Sequence, residues 1–144
     1  MLLHRSQLEK PLERRQSDLA SPDAGPQIIR AYLSRQHLED VENSCPMVAL
    51  PCDVARGDAR VKAAFENVFK AMVDVLSREV KRSAQPSETA ALAIASLCIG
   101  GMLVARSLND PRFADCLREA ATSAALAMGG WKQPKSRKRS TAAR

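Results

Sequence analysis

Aromatic residues are scarce in this chain, at 3% of 144 residues, although 45% of the residues are hydrophobic. No stretch alternates apolar and polar residues at period two with β-branched side chains for long enough to form a strand. A chain of this length can bury one hydrophobic core. The scarcity of rings and of strand patterns therefore predicts an all-α fold of packed aliphatic helices, in one domain with tails.

The residue types that carry catalysis or bind metals are also few. The two histidines stand in no nucleophile or metal pattern, no glycine-rich phosphate loop is present, and the four cysteines lack the paired spacing of a zinc site. We therefore expect no enzyme activity, no metal and no cofactor. Because the sequence shows no secretory signal pattern, we expect a reducing, cytoplasmic location.

Positive charge is concentrated at one end of the chain. The net charge is +6, and six Lys and Arg residues lie between 132 and 144, where no acidic residue occurs. The other 16 basic residues balance the 16 acidic ones. Residues 131–144 are therefore predicted to be a basic, disordered tail. Weak contact with nucleic acid is the alternative to a tail that only meets water.

The longest apolar stretch runs from Ala90 to Ala105, and Ser96 is its single polar side chain. At 16 residues it is shorter than the roughly 18 to 20 that a membrane-spanning helix needs, so we expect no membrane contact. Gly100 and Gly101 each cost a helix about 1 kcal/mol relative to Ala. Close approach of another backbone is the usual compensation, so this stretch predicts a helix that needs a helical partner.

A second helix rich in small residues follows. Asp110 is its predicted cap, Pro111 its first residue, and Gly129-Gly130 its end. The two helices form a hairpin with more small-residue surface than the upstream helices of one copy can cover. We predict a four-helix interface across a twofold axis, with a central place in a monomeric bundle as the alternative. The predicted interface residues are Ala93, Ser96, Gly100, Val104, Phe113, Leu117, Ala120 and Ala124.

Two amphipathic helices are predicted upstream, which gives about four to five helices in all. One runs from Pro26 to about Leu38, and the longer one covers residues 57–82 with Asp58 as its candidate cap. Between them, Pro46 opens a short helix and Pro51 interrupts or ends it. Residues 1–25 are predicted to be a partly helical lead-in and linker.

Three segments carry a family resemblance when they are taken in this order and spacing: AYLSRQHLEDVENSCPMVALPCDVAR, VKAAFENVFKAMVDVL and LAIASLCIGGMLVARSLNDPRFADCLREAA. They resemble the C-terminal regulatory domain of TetR/AcrR-family transcriptional regulators, with CPMVAL and GGMLVARSLNDP as the most specific blocks. The resemblance covers about residues 26–128. It implies an all-helical domain, residues 26–130, that binds a small-molecule inducer within each subunit and dimerises through its last two long helices.

Members of this family begin with a helix-turn-helix domain, and residues 1–25 are too short to form one. We therefore expect the effector-sensing and dimerising domain of a TetR-family repressor that lacks its DNA-binding domain. DNA contact would come only through that missing domain or weakly through the basic tail. The alternative is a headless interaction subunit that pairs with a full-length relative and lowers its DNA binding.

The effector is expected to be a small apolar or amphipathic molecule held in an apolar cavity, with Tyr32 or His37 as the polar anchor. Plain core packing is the alternative for each lining residue. Cys45 is a candidate redox or electrophile sensor because a helix N-terminus favours thiolates, and an inert thiol is the alternative. The predicted ligand-binding residues are Tyr32, Met47, Leu50, Phe65, Phe69 and Met72.

Overall fold

The computed structural model of the protein describes residues 24–43, 45–80 and 87–131. As the sequence predicts, this part of the chain is all-α: 82% of it is helical and it contains no strand. The helices are α1 (Ala24–Tyr32), α2 (Arg35–Glu39), α3 (Pro46–Ala49), α4 (Pro51–Arg56), α5 (Ala59–Glu79), α6 (Ser87–Arg106) and α7 (Pro111–Met128). Most of the predicted lead-in, residues 1–23, and most of the predicted tail, residues 132–144, lie outside the described residues.

Two aspartates begin the long helices as predicted. The Asp58 carboxylate accepts hydrogen bonds from the backbone N–H groups of Arg60 and Val61, at 2.9 and 3.0 Å, at the start of α5. The Asp110 carboxylate accepts one from the N–H of Arg112 at 2.9 Å, and Pro111 is the first residue of α7. Each cap satisfies amides that have no partner within the helix and contributes about 1 kcal/mol.

The predicted helix from Pro26 to Leu38 is divided into α1 and α2. α1 begins at Ala24, two residues earlier than predicted, and ends at Tyr32. The Ser34 hydroxyl then accepts a hydrogen bond from the N–H of His37 at 3.1 Å and caps α2. A serine side chain competes for backbone N–H groups in this way, so the chain starts a second helix instead of continuing the first.

Both prolines of the bend region begin helices. Pro46 opens α3, as predicted, and Pro51 opens α4 directly after Leu50, where α3 ends. Proline lacks an N–H group, and the first turn of a helix needs none. Pro51 therefore ends one short helix and starts the next.

The glycine pair after α7 ends that helix as predicted. The N–H of Gly130 donates to the carbonyl of Ala127, and the N–H of Trp131 donates to the carbonyl of Leu126 at 3.0 Å. This is the hydrogen-bond pattern of a Schellman motif, which places one residue in the left-handed region. Gly130 occupies that position with φ of 73°.

Helix α6 is the centre of the core. It packs against α5 and α7, and it also contacts α1, α2 and α3. On α5 the buried residues are Val73 and Leu76, and α1 contributes Ile29. The buried residues of α6 are Ala90, Ala91, Ile94, Ala95, Cys98, Met102 and Ala105. The other side of the α6–α7 hairpin is free of neighbouring helices among the described residues.

Candidate functional site

A groove with a volume of about 670 Å³ lies between α6 and α7, and we name it the α6–α7 groove. Seven of the eight residues predicted for a dimer interface line it. The eighth, Phe113, lies outside the lining at the start of α7 and is 59% exposed. The lining residues are Ala93, Ser96, Leu97, Gly100, Gly101, Val104, Leu117, Ala120, Ala121 and Ala124.

The α6–α7 groove is suited to apolar contact with another backbone. Its single polar side chain, Ser96, donates a hydrogen bond to the Leu92 carbonyl of its own helix at 2.8 Å. No lining residue is charged. The groove can therefore bury small apolar surfaces at short range, and it offers no arrangement that would hold an ion.

The two glycines of α6 have different surroundings. A Cβ atom added at Gly101 would lie 3.0 Å from the Cβ of Ala121 and 3.3 Å from Leu33, so this glycine permits close packing of α6 on α7 within the subunit. A Cβ atom added at Gly100 would meet no atom within 4 Å. Packing inside the subunit thus explains Gly101, while Gly100 faces the α6–α7 groove.

A second apolar cavity, of about 280 Å³, lies where α3 and α4 meet α5, and we name it the α3–α5 cavity. It contains three of the six residues predicted to bind a ligand: Met47, Leu50 and Phe65. Its lining residues are Pro46, Met47, Leu50, Val54, Val61, Ala64, Phe65 and Val68.

The other three predicted ligand residues do not line this cavity. Tyr32, Phe69 and Met72 are half-buried and pack against the hydrophobic core. Phe69 and Met72 lie further along α5 than Phe65 does, beside Val73, where the helix reaches the core. Their packing against the core agrees with the alternative weighed for these positions, and their part in ligand binding stays a prediction.

The two candidate polar anchors contact each other instead of the cavity. The rings of Tyr32 and His37 meet edge to face, with centroids 4.9 Å apart, and the His37 Nδ1 atom lies 2.6 Å from the Tyr32 carbonyl oxygen. The Tyr32 hydroxyl donates to the sulfur of Cys45 at 3.8 Å. Burial raises the pKa of Tyr32 well above its ordinary value, and the neighbouring Cys45 adds to this rise.

Cys45 occupies the predicted cap position before Pro46, but its side chain makes no capping hydrogen bond. It is one of four free cysteines, with Cys98 buried and both Cys52 and Cys116 exposed. Burial raises the pKa of the Cys98 thiol to about 12. Cys98 therefore behaves as a small hydrophobic side chain.

Arginines attach the α1–α2 segment to the hairpin, a feature that sequence reasoning missed. Arg118 on α7 is only 8% exposed, and its Nη1 atom donates to the Leu33 carbonyl at 2.6 Å. Arg106 on α6 donates to the carbonyls of His37 and Asp40. Cations stabilise carbonyl groups at helix C-termini, so both arginines anchor the segment where α1 ends and α2 follows.

Asp115 completes this group of side chains, which we name the arginine cluster (Arg35, Arg106, Asp115 and Arg118). Asp115 forms ion pairs with Arg118 on its own helix and with Arg35 on α2. The hydrogen bond from Arg118, helped by the charge of Arg35, holds the pKa of the Asp115 carboxyl below its usual value. The available sequence signal was Arg118 itself, because it interrupts the buried stripe of Ala114, Ala121 and Ala125.

Trp131, the single tryptophan, packs where the start of α1 meets the end of α7. The sequence did not predict this contact. Trp131 is 5% exposed and belongs to the core. A Cβ atom added at Gly25 or at Gly129 would clash with its indole ring. These two glycines therefore leave room for the ring between the start of α1 and the end of α7.

No group of three or more His, Cys, Asp or Glu residues within residues 24–43, 45–80 and 87–131 is arranged to hold a metal ion. Helix α6 is long and apolar enough to cross a membrane, with a mean hydropathy of 1.8. One such helix is weak evidence, because the central helix of a soluble domain meets the same criteria. Its packing between α5 and α7 is compatible with a soluble protein.

Comparisons of the chain with protein-family models, with curated proteins and with solved structures gave no match. The resemblance to TetR/AcrR regulators therefore rests on the sequence segments alone.

Proposed function

We propose that this chain is the effector-sensing and dimerising domain of a TetR-like transcriptional repressor that works in the cytoplasm. The observation that carries the proposal is the α6–α7 groove, where the small residues predicted to pair two copies form one uncharged surface. Two such hairpins facing each other across a twofold axis form a four-helix interface. Gly100 and Ala120 would let the two backbones approach closely.

The α3–α5 cavity is the proposed effector site. At about 280 Å³ it is at the small end of ligand cavities, and all eight lining side chains are apolar. A small, neutral, apolar molecule fits this lining. Charged ligands do not, because no lining residue would compensate their lost hydration.

Helix α5 links the cavity to the rest of the subunit. Its first half lines the cavity with Phe65, and its second half buries Leu76 against α6. A ligand that binds one position of α5 better than another would shift the hairpin by linkage. The arginine cluster would pass that shift to α1 and α2. DNA contact would come through the helix-turn-helix domain that the family resemblance implies, or weakly through the basic tail.

Sedimentation velocity at low micromolar concentration tests the pairing. The chain has a mass of 15.7 kDa, and we expect twice that mass in solution. Ala120→Glu places a charge in the α6–α7 groove and should return the mass to that of one copy. The matched control is Ala127→Glu, an exposed position on the same helix outside the groove, which should keep the larger mass. A wild-type chain that sediments as one copy would refute self-pairing, and co-purification with a full-length relative would then favour the interaction-subunit alternative.

Fluorescence of the neutral probe N-phenyl-1-naphthylamine tests the effector site. We expect saturable binding to the wild-type chain and loss of that binding in Ala64→Phe, which fills the α3–α5 cavity. The matched control is Ala63→Phe, the neighbouring exposed position outside the lining. Equal loss in both variants, or no loss in either, would remove the cavity from the proposal.

A further inference from the structure

Helix α5 carries a second apolar face that is separate from its packing in the core. Val61, Val68 and Val75 recur every seven residues and are 44%, 52% and 37% exposed. Ala64 and Ala71 lie between them and are also exposed. We name these five residues the α5 seam. Valines at one heptad position and small residues at the other form the narrow stripe through which helices pair.

The buried face of α5 lies to one side of this seam. Val73 and Leu76 are buried in the core, and Phe69 and Met72 pack against it. The charged face lies on the other side, where Lys70 pairs with Glu66. An exposed helix face normally continues the polar surface, so three exposed valines in heptad register indicate a contact with another helix.

The charges beside the seam favour a second copy of α5 as that helix. Arg60, Asn67 and Asp74 share the seven-residue spacing, flank the seam on its polar side, and are all exposed. When two copies of α5 run antiparallel about a twofold axis near Asn67, Arg60 of each copy faces Asp74 of the other. The two asparagines then meet on the axis.

A parallel arrangement lacks this match. In a parallel pair, each residue that flanks the seam on one helix faces the residue five positions later in the sequence of the other helix. Here Arg60 would face Phe65, and Asp74 would face Glu79, a pair of like charge. The charge pattern therefore complements itself in one orientation only.

We infer that the α5 seam pairs antiparallel with the α5 seam of a second copy, and that this surface is distinct from the α6–α7 groove. This goes beyond the proposed function. Two separate self-complementary surfaces on one chain assemble dimers into larger oligomers at high concentration. Val61, Ala64 and Val68 also line the α3–α5 cavity, so seam pairing and ligand binding share these three side chains.

The test isolates the seam by measuring sedimentation equilibrium in the Ala120→Glu background, at several hundred micromolar. We expect this variant to form dimers, and the addition of Val68→Glu to leave single copies. Arg60→Asp should weaken pairing about tenfold, because it replaces two attractions with two repulsions. The double swap of Arg60→Asp with Asp74→Arg should restore pairing to within about twofold of the background.

These outcomes separate the two surfaces. If Ala120→Glu leaves the wild-type mass unchanged, the groove proposal fails, and Val68→Glu still reports on the seam in the unmodified chain. If the charge swap does not restore pairing, the antiparallel inference fails. If Val68→Glu lowers the Tm without changing the mass, the seam is covered within one subunit, and the inference is overturned.

Disulfide formation tests the orientation directly. In a background with Cys52→Ser and Cys116→Ser, Asn67→Cys should crosslink two copies under mild oxidation, because this position meets itself at the axis. The control is Lys70→Cys, an exposed position on the charged face of α5, which should remain uncrosslinked. Equal crosslinking at both positions would contradict the axis near Asn67.

Discussion

The inward and outward faces of the α6–α7 hairpin are built from similar small residues but have opposite surroundings. On the inward face Ala91, Ala95 and Ala125 are completely buried. On the outward face Ala120 and Ala124 are exposed, although they belong to the same helix as Ala125. Small apolar composition therefore shows that a helix is built for close packing, and the position of the neighbouring helices decides which face is covered.

The two faces consequently control different properties. The inward face is packed against α5 and α1 and is fastened by the arginine cluster, so it should determine the stability of one subunit. The outward face has no covering helix among residues 24–43, 45–80 and 87–131. It should determine association. Variants that change one property and spare the other can confirm or break this division.

The largest expected difference is in thiol reactivity. At pH 8, iodoacetamide should alkylate Cys52 and Cys116 readily, because both are exposed. Cys98, on the inward face of α6, should react at least about a thousandfold more slowly than an ordinary thiol, since burial raises its pKa to about 12 from 9.0. Peptide mass spectrometry over time measures the three rates. In urea the rates should converge, and fast alkylation of native Cys98 would show that the inward face opens.

Truncating one side chain on each face separates stability from association. Ile94 is completely buried, so Ile94→Ala should lower the free energy of unfolding by about 3 kcal/mol. Val104 lies in the α6–α7 groove and is 48% exposed. Val104→Ala should change subunit stability by less than about 0.5 kcal/mol. Urea unfolding followed by Trp131 fluorescence measures both.

The Ala120→Glu background suits these measurements because it removes the contribution of association to unfolding. Similar losses for Ile94→Ala and Val104→Ala would mean that the outward face is covered within the subunit.

The features that the sequence predicted are those that depend on neighbours in the chain. Asp58, Asp110 and Gly130 act on backbone groups within a few residues, so the sequence alone predicts that they begin or end helices. Most of the α6–α7 groove lining could also be predicted, because the spacing of small residues on a helix fixes which of them share a face. These local rules gave the long helices, and they placed seven of the eight predicted interface residues in one groove. That this groove pairs two copies stays a prediction.

The features that the sequence did not predict depend on distant residues. Arg118 binds the carbonyl of Leu33, 85 residues away, and no local pattern shows which carbonyl an arginine will meet. Trp131 covers Gly25 from the far end of the described chain. The predicted ligand set divided for the same reason: Phe65 and Phe69 both suit an apolar site, and only the positions of α3 and α6 decide that one lines the cavity and the other the core.

The adjacent glycines of α6 give the next largest effect. Each Gly→Ala change should favour the helix by about 1 kcal/mol. Gly100→Ala should show this gain in the Ala120→Glu background, because its new methyl group meets no atom within 4 Å. Gly101→Ala should be less stable than Gly100→Ala by about 1 to 2 kcal/mol, since its methyl group would press against Ala121 and drive α6 from α7. Urea unfolding of the two variants measures this difference.

In the otherwise unmodified chain, Gly100→Ala should also weaken association, because the added methyl group separates the paired hairpins. A Gly100→Ala variant that pairs as tightly as the wild type would place the twofold contact elsewhere.

The smallest expected effect is at acid pH, and it distinguishes the arginine cluster from the α6–α7 groove. The pKa of Asp115 is lowered by the hydrogen bond from Arg118 and by the charge of Arg35. A carboxyl whose pKa is lower in the folded state stabilises the fold above its ordinary pKa of 3.8 and loses that contribution as pH falls through the lowered folded value. Asp115→Asn should therefore reduce stability at neutral pH and flatten its decline in acid. Because the Asp115 side chain is partly exposed to solvent, the effect should be small and should shrink further in high salt. Thermal unfolding from pH 7 to pH 3, with and without added salt, measures this change in stability.

Association through the α6–α7 groove should keep its strength until the subunit itself unfolds, since no groove-lining residue titrates in this range. Dissociation that follows the titration of Asp115 in folded subunits would show that the cluster and the groove act together, and the division between the two faces would then be wrong.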